Sequence, residues 1–169
     1  PLNNSRCSRS IPPARGSKVS KLLLKPSGPH QRASRSGSLK ARNTRAGGAA
    51  GRREWGGKMQ DDITDATRWA IQQGIADPAR ICLYGASYGG YASLMGAARE
   101  PALYRCVAGY VGVYDLPTMH ADGEIRDRAS GRTYIEEWIG PKADVAKVSP
   151  NRLADQIKVP VFLAAGGED

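Results

Sequence analysis

The chain has 169 residues and a formal net charge of +9, which is long enough for one domain with a hydrophobic core. Residues 1–53 contain 13 of the 25 Lys and Arg residues and none of the 16 Asp and Glu residues, so the rest of the chain is net acidic. No apolar stretch approaches the roughly 18 residues that a membrane helix needs, and the sequence therefore predicts no membrane partner.

Residues 1–48 form a basic leader rich in Ser, Arg, Gly and Pro. A segment with so few large apolar side chains cannot offset the entropy lost on ordering, so we predict that it is disordered. Three interpretations of the leader stay open: an arm that binds nucleic-acid phosphates, an organelle transit peptide, or a nonfunctional extension. It lacks aromatic side chains that could stack on bases, which argues against nucleic acid as its partner.

Globular sequence begins at Ala49, and its first predicted element is a helix. Asp61 and Asp62 are residue types favoured at a helix N-terminus, and Gly74 is typical of the position just after a helix. The pattern therefore predicts a helix from this acidic pair to Gln73.

A G-x-S-x-G motif follows, in the segment Gly85-Ala86-Ser87-Tyr88-Gly89. The apolar residues 81–84 before it predict a short buried strand, and residues 87–98 after it predict a helix. A serine between such a strand and helix is typical of the nucleophile elbow of an α/β-hydrolase.

The elbow has a physical rationale. A turn this sharp strains the backbone of the serine by roughly 1–3 kcal/mol, and it requires glycine where a Cβ would collide with neighbouring backbone. In return, the Ser87 hydroxyl is exposed beside the backbone N–H groups of a helix N-terminus, where negative charge is favoured. We therefore predict that Ser87 is a catalytic nucleophile.

Two further apolar runs, at residues 106–113 and 159–165, have the length and composition of buried strands. Between them, residues 134–139 predict a small amphipathic helix that ends at Gly140. Apolar strands that alternate with helices indicate the α/β class, with a parallel sheet covered by helices on both faces.

The three cysteines are Cys7, Cys82 and Cys106, without C-x-x-C spacing. Cys82 and Cys106 lie in apolar runs, and we predict that both are buried free thiols. Free thiols slightly favour a reducing compartment, such as the cytoplasm, although the compartment stays open.

The segments Glu54-Trp55-Gly56-Gly57-Lys58-Met59-Gln60-Asp61-Asp62 and Gly85-Ala86-Ser87-Tyr88-Gly89-Gly90-Tyr91-Ala92 closely resemble the catalytic domain of the prolyl oligopeptidase family of serine peptidases. Residues 110–116 and 160–169 also resemble that family, and the acylaminoacyl-peptidase and dipeptidyl-peptidase-like members are the most similar. The resemblance covers residues 49–169. It implies a truncated α/β-hydrolase fold that follows the disordered leader.

The resemblance also implies a function, namely the hydrolysis of short peptides by a Ser-Asp-His triad without a cofactor. Ser87 matches the nucleophile, the backbone N–H of Tyr88 matches an oxyanion donor, and Asp169 matches the triad acid. Val113 and Leu116 match positions that form the wall of the specificity pocket.

The chain departs from the family pattern at the base. The histidine of the family lies downstream of the acid, whereas this sequence ends at Asp169. The upstream tyrosine that supplies a second oxyanion donor is also missing. We therefore expect an incomplete fragment with negligible peptidase activity and with an exposed apolar edge on its sheet.

His120 is an alternative base, because Ser87, Asp115 and His120 occur in the order that α/β-hydrolases use. Asp115 and His120 would however leave the sheet on the same loop, so a loop histidine is the simpler interpretation. His30 lies in Pro- and Gly-rich sequence and is expected to be solvated. No metal-ligand spacing is present.

Two other functions remain open. A carboxylesterase-like hydrolase would use the same elbow. A non-catalytic fragment would instead bind nucleic acid through its basic arm, and its binding would then depend on salt. The oligomeric state is not predicted.

Overall fold

The computed structural model describes residues 20–24, 35–39 and 49–166. The strands are β1 (Ser20–Leu24), β2 (Arg35–Leu39), β3 (Ile81–Ala86), β4 (Cys106–Tyr110) and β5 (Val161–Ala164). The α-helices are α1 (Lys58–Gln72), α2 (Tyr88–Arg99), α3 (Leu116–Ala121), α4 (Glu124–Asp127), α5 (Ala129–Tyr134) and α6 (Lys142–Val145). A π-helical turn spans Ile135–Ile139, and 3₁₀ turns span Ala49–Gly51, Ala146–Val148 and Pro150–Gln156.

The described strands form one sheet in the order β2-β1-β3-β4-β5. β3, β4 and β5 are parallel, and their register aligns Ala86 with Tyr110 and Tyr110 with Ala164. The carboxyl ends of these three strands therefore meet at one edge of the sheet. The predicted α/β class is confirmed.

β1 and β2 lie within the segment for which we predicted disorder, and at these ten residues the structure differs from that prediction. β1 pairs antiparallel with both β2 and β3, aligning Ser20 with Gly85 and Leu24 with Ile81. Strand pairing satisfies backbone N–H and C=O groups whatever the side chains are, which composition alone does not reveal. The other residues of the leader lie outside the described ranges.

α1 begins at Lys58, three residues before the predicted start. The reason is that a Glu54 carboxylate oxygen accepts the Lys58 backbone N–H at 3.1 Å and satisfies one of the free donors of the first turn. Asp61 instead forms an ion pair with Arg99, across 2.8 Å, and so joins α1 to the end of α2. The predicted stop is confirmed, since Gly74 follows the helix with a φ of 65°.

α2 is buried along nearly its whole length, from Tyr88 to Ala98. Its glycines allow close packing, because a Cβ at Gly96 would lie 2.6 Å from Leu83 of β3. The helix predicted for residues 87–98 is confirmed, and its Tyr91 and Met95 are both almost fully buried. The helix that follows Ser87 is thus a core element of the domain.

β5 is the outermost strand of the described sheet on its side. Val161, Phe162 and Leu163 are 44%, 67% and 51% exposed. The expected exposed apolar edge is therefore present. None of the helices in the described ranges is long and apolar enough to cross a membrane.

The prediction that Cys82 and Cys106 are free thiols is wrong. Cys82 on β3 and Cys106 on β4 are register partners, their Cα atoms lie 4.7 Å apart, and they form a disulfide. That separation lies in the range that a disulfide spans, and only strand pairing brings the two residues together. The preference for a reducing compartment loses its basis. Cys7 lies outside the described residues.

Reducing this disulfide is expected to lower the free energy of unfolding by about 3 kcal/mol, because the bond closes a loop with a sequence separation of 24 residues. Urea unfolding with and without dithiothreitol measures the change. A Cys82→Ala/Cys106→Ala variant serves as the control and should not respond to reductant. Equal stability of the oxidised and reduced wild-type protein would contradict the expectation.

Candidate functional site

Ser87 lies between β3 and α2 with a φ of 54° and a ψ of −122°, a conformation that L-residues rarely adopt. Its backbone N–H donates to the Tyr110 carbonyl at 3.0 Å, and its own carbonyl accepts the Gly90 N–H at 2.9 Å. The residue is exposed, and no described residue hydrogen-bonds to its hydroxyl. The predicted tight turn with an outward serine is confirmed.

The turn depends on glycines on both sides. A Cβ at Gly85 would overlap the backbone of Gly89, and no side-chain movement can relieve a backbone collision. A Cβ at Gly90 would lie 2.9 Å from the Gly112 Cα, so the loop after β4 also lies directly against the start of α2. The elbow is thus held between β3 and that loop.

Tyr88 is the first residue of α2. No backbone carbonyl in the described part of the chain accepts its N–H, as expected for the first turn of a helix. Its ring lies 4.6 Å from that of Trp55, and Trp55 lies 4.9 Å from Tyr91. Burial, with smaller contributions from Tyr134 and Asp62, raises the pKa of the Tyr88 phenol, so its side chain stays neutral and serves in packing.

The loop after β4 begins with a strained residue. Val111 has a φ of 42°, which is rare for a β-branched side chain, and its N–H donates to the Ala164 carbonyl of β5 at 2.8 Å. This turn ends β4 three residues before the predicted boundary. Val113 is half-buried, whereas Leu116 is fully buried and packs in the core. Their assignment to a pocket wall stays a prediction.

Asp115 caps α3, and its hydrogen bonds and ion pair among the described residues are not to His120. Its carboxylate accepts the Thr118 N–H at 3.2 Å and the Asn151 side-chain amide at 2.6 Å, and Arg152 lies 3.7 Å away. Desolvation opposes its ionisation, but the two hydrogen bonds and the Arg152 charge outweigh this effect and lower the pKa of Asp115.

His120 is half-buried on α3. Its burial and the Lys142 charge lower its pKa, against opposing effects of a hydrogen bond to the Gly140 backbone and of the Glu136 charge. In the described part of the chain, its Nε2 atom is buried without a hydrogen-bond partner, and no bond joins His120 to Ser87. The structure therefore gives His120 no contact with the predicted nucleophile.

Asp169 and His30 lie outside the described residues. β5 ends at Ala164, at the same edge of the sheet as Ser87, and the chain then continues toward the C-terminus. Among the described residues, no group of three or more His, Cys, Asp or Glu side chains could hold a metal ion.

A family model described as the prolyl oligopeptidase family matches residues 46–169. The chain belongs to the prolyl oligopeptidase family. It is 34% identical over 125 residues to dipeptidyl aminopeptidase BIII of Pseudoxanthomonas mexicana, a match that covers 71% of this chain and 18% of that protein. It is also 28% identical to dipeptidyl peptidase family member 6 of Caenorhabditis elegans, covering 71% of this chain and 17% of the relative.

Solved structures of similar proteins have the same fold as this chain. A puromycin-hydrolysing peptidase of Mycobacterium tuberculosis matches with a TM-score of 0.62 and 30% identity, over 70% of this chain and 18% of that one. An acylaminoacyl peptidase of Pyrococcus horikoshii shares the fold with a TM-score of 0.63 and 24% identity, over 72% of this chain and 20% of that one. The chain thus spans about a fifth of the length of these prolyl oligopeptidase relatives.

Two residues that shape the site were not predicted from the sequence. Trp55 contacts Tyr88 and so joins the segment before α1 to the elbow, and Val111 turns the loop after β4. In the sequence, Trp55 stands out only as part of the segment that resembles the family. A valine with a positive φ has no signal in the sequence, because the residue type predicts the opposite conformation.

Replacing Ser87 with Gly is expected to raise the free energy of unfolding by about 1 kcal/mol, because glycine adopts the observed φ without strain. Ser87→Ala is the matched control, since it removes the hydroxyl but keeps the Cβ, and it should show no such gain. Urea unfolding at pH 7 compares the three proteins. A destabilised Ser87→Gly protein would show that the backbone at this position is unstrained.

Replacing Asp115 with Ala is expected to cost about 1–2 kcal/mol near pH 7, because a helix cap and the tie to Asn151 are lost. The folded-state pKa of Asp115 is below its unfolded value, so its contribution is present above about pH 4 and disappears as the pH falls through the folded pKa.

Urea unfolding at pH 7 and pH 3 measures this difference. Exposed Asp65, which has no ion pair among the described residues, supplies the control: Asp65→Ala should change stability by less than about 0.5 kcal/mol. A destabilisation by Asp115→Ala that is equally large at both pH values would contradict the assignment.

Proposed function

We propose that this chain carries the nucleophile of a serine peptidase of the prolyl oligopeptidase type, which hydrolyses short peptides. The strained, exposed Ser87 at the junction of β3 and α2 is the observation that supports the proposal most strongly. Such strain persists only where the surrounding structure imposes it, and it is concentrated at functional sites. The relatives named as dipeptidyl aminopeptidase and as puromycin-hydrolysing peptidase support peptides as the substrate.

In the proposed reaction, Ser87 Oγ attacks the carbonyl carbon of the scissile bond while a histidine accepts its proton. The carbonyl oxygen becomes negatively charged, and the Tyr88 N–H donates to it. The histidine then returns the proton to the departing amine as the C–N bond breaks. Water attacks the acyl-enzyme in the same way, which releases the acid and restores the serine.

We propose Asp169 as the acid that orients this histidine. Parallel register aligns the ends of β3, β4 and β5, so the residues after Ala164 leave the sheet at the edge where Ser87 lies. Ligand-binding and catalytic residues of open α/β sheets collect at this carboxyl edge. Asp169 follows the last strand by five residues, which is a span that a short loop can cover.

We propose that the base comes from outside these 169 residues. His120 is half-buried and makes no hydrogen bond to Ser87 in the described chain, and Asp115 is engaged in capping α3. Removal of the histidine of a triad typically lowers kcat by about six orders of magnitude. The 169-residue chain alone should therefore turn over peptides negligibly.

Modification by a fluorophosphonate tests the nucleophile without requiring turnover. In 1–169, added imidazole should act as an external base and accelerate labelling of Ser87 at least tenfold, whereas peptide p-nitroanilides should stay uncleaved. Mass spectrometry of the labelled peptides identifies the modified residue. Ser87→Ala should lose this label, and Ser93→Ala, with its serine buried in the same helix, should keep it.

Two outcomes would overturn different parts of the proposal. Imidazole-dependent labelling that Ser87→Ala does not abolish would exclude Ser87 as the nucleophile. Cleavage of p-nitroanilides by 1–169, lost in Ser87→Ala, would instead show that the chain already contains its base.

A further inference from the structure

The structure contains a cavity of about 360 Å³ whose lining is mostly charged. It is lined by Arg53, His120, Glu136, Pro141 and Lys142. Its volume is at the lower end of the range for sites that bind small molecules, which is roughly 300–1,000 Å³. Nothing in the mechanism proposed above uses these side chains.

A series of contacts connects the cavity to the segment that carries the proposed nucleophile. Arg53 is two residues before Trp55, whose ring contacts Tyr88 directly after Ser87. The Arg53 N–H also donates to the Trp138 carbonyl at 2.8 Å, which fixes the segment before α1 against the π-helical turn that carries Glu136. The Trp55 ring thus connects the segment that carries Arg53 to the start of α2.

The charges of the cavity are not neutralised by one another. Arg52 and Glu137, which neighbour Arg53 and Glu136 in the sequence, form an ion pair with 3.6 Å between their charged groups. By contrast, Arg53, Glu136 and Lys142 form no ion pair with any described residue. With His120 neutral at pH 7, the cavity has two cations against one anion, so it favours a negatively charged ligand.

The backbone at the cavity is also held in an unusual conformation. Arg53 has a φ of 58°, and its side chain passes Gly140, where an added Cβ would lie 3.6 Å from the Arg53 Cγ. A positive φ costs free energy for an arginine, and such strain is concentrated at ligand-binding sites. This backbone conformation fixes the direction in which the Arg53 side chain leaves the main chain.

We propose that this cavity binds a carboxylate group of a peptide, through the guanidinium of Arg53 and the ammonium of Lys142. A guanidinium binds a carboxylate with two parallel hydrogen bonds, and an ammonium adds a point charge. The inference rests on the proposed peptidase function for its choice of a peptide.

The carboxylate can be the C-terminus of the peptide or an acidic side chain, and three acetylated probes separate these sources. The probes are N-acetyl-dialanine, its C-terminal amide, and the amide of N-acetyl-glutamyl-alanine. The titrations use the 1–169 chain with Ser87→Ala, so that binding is measured independently of any reaction. Backbone amide NMR shifts at Gly140 and Lys142 report occupancy.

At least one carboxylate probe should bind at least tenfold more tightly than the neutral amide. Arg53→Gln and Lys142→Gln should each weaken that binding about tenfold. Lys147→Gln is the matched control, since Lys147 is exposed near α6 without lining the cavity, and it should change the dissociation constant less than twofold. Glu136→Gln should tighten binding, because it removes the single negative charge.

All four substitutions are at exposed side chains, so the variants should fold. Equal affinity for the neutral amide and both carboxylate probes would overturn the proposal. The absence of any NMR chemical-shift change with every probe, at concentrations up to about 20 mM, would also overturn it, because even a weak site is occupied at such concentrations. So would binding that survives both Arg53→Gln and Lys142→Gln. If none of the probes binds as expected but the fluorophosphonate still labels Ser87 in the wild-type chain, only the carboxylate site is excluded. The proposal that Ser87 is the nucleophile then stands.

Discussion

The close approach of β3 and α2 is the constraint on which the site depends. Because Gly85 and Gly89 come into backbone contact, the chain must reverse direction within a single residue, and Ser87 takes the strained conformation. The same contact places the Tyr88 N–H at the first turn of a buried helix. A serine here is therefore exposed by the geometry of the backbone and needs no neighbouring side chain to hold it outward.

The loop after β4 holds the elbow from its other side. The Ser87 N–H donates a hydrogen bond to the Tyr110 carbonyl, and the N–H of the strained Val111 donates to the Ala164 carbonyl of β5. Asp115 then ends the loop by capping α3. Each of these contacts uses backbone groups or a helix cap, so the carboxyl edge of the sheet is fixed chiefly by main-chain hydrogen bonds.

Covalent and electrostatic features act at different places in the same domain. The Cys82–Cys106 disulfide joins β3 and β4 well before the elbow, and so limits how far the two strands can separate. The ion pair between Asp61 and Arg99 connects the ends of α1 and α2 at the surface, where solvent weakens it. Arg53, Glu136 and Lys142, by contrast, line the cavity and form no ion pair with any described residue.

The sequence by itself determined the α/β class and the elbow at Ser87, because glycine spacing and apolar periodicity act over a few residues, and its resemblance to known peptidases indicated the family. It misplaced the start of α1, since the capping carboxylate of Glu54 lies in the preceding turn. Only the tertiary structure decided the disulfide, the turn at Val111 and the role of Asp115. Each of these features depends on residues that strand register or loop packing brings together. Such contacts cannot be predicted from the separation of the residues along the chain.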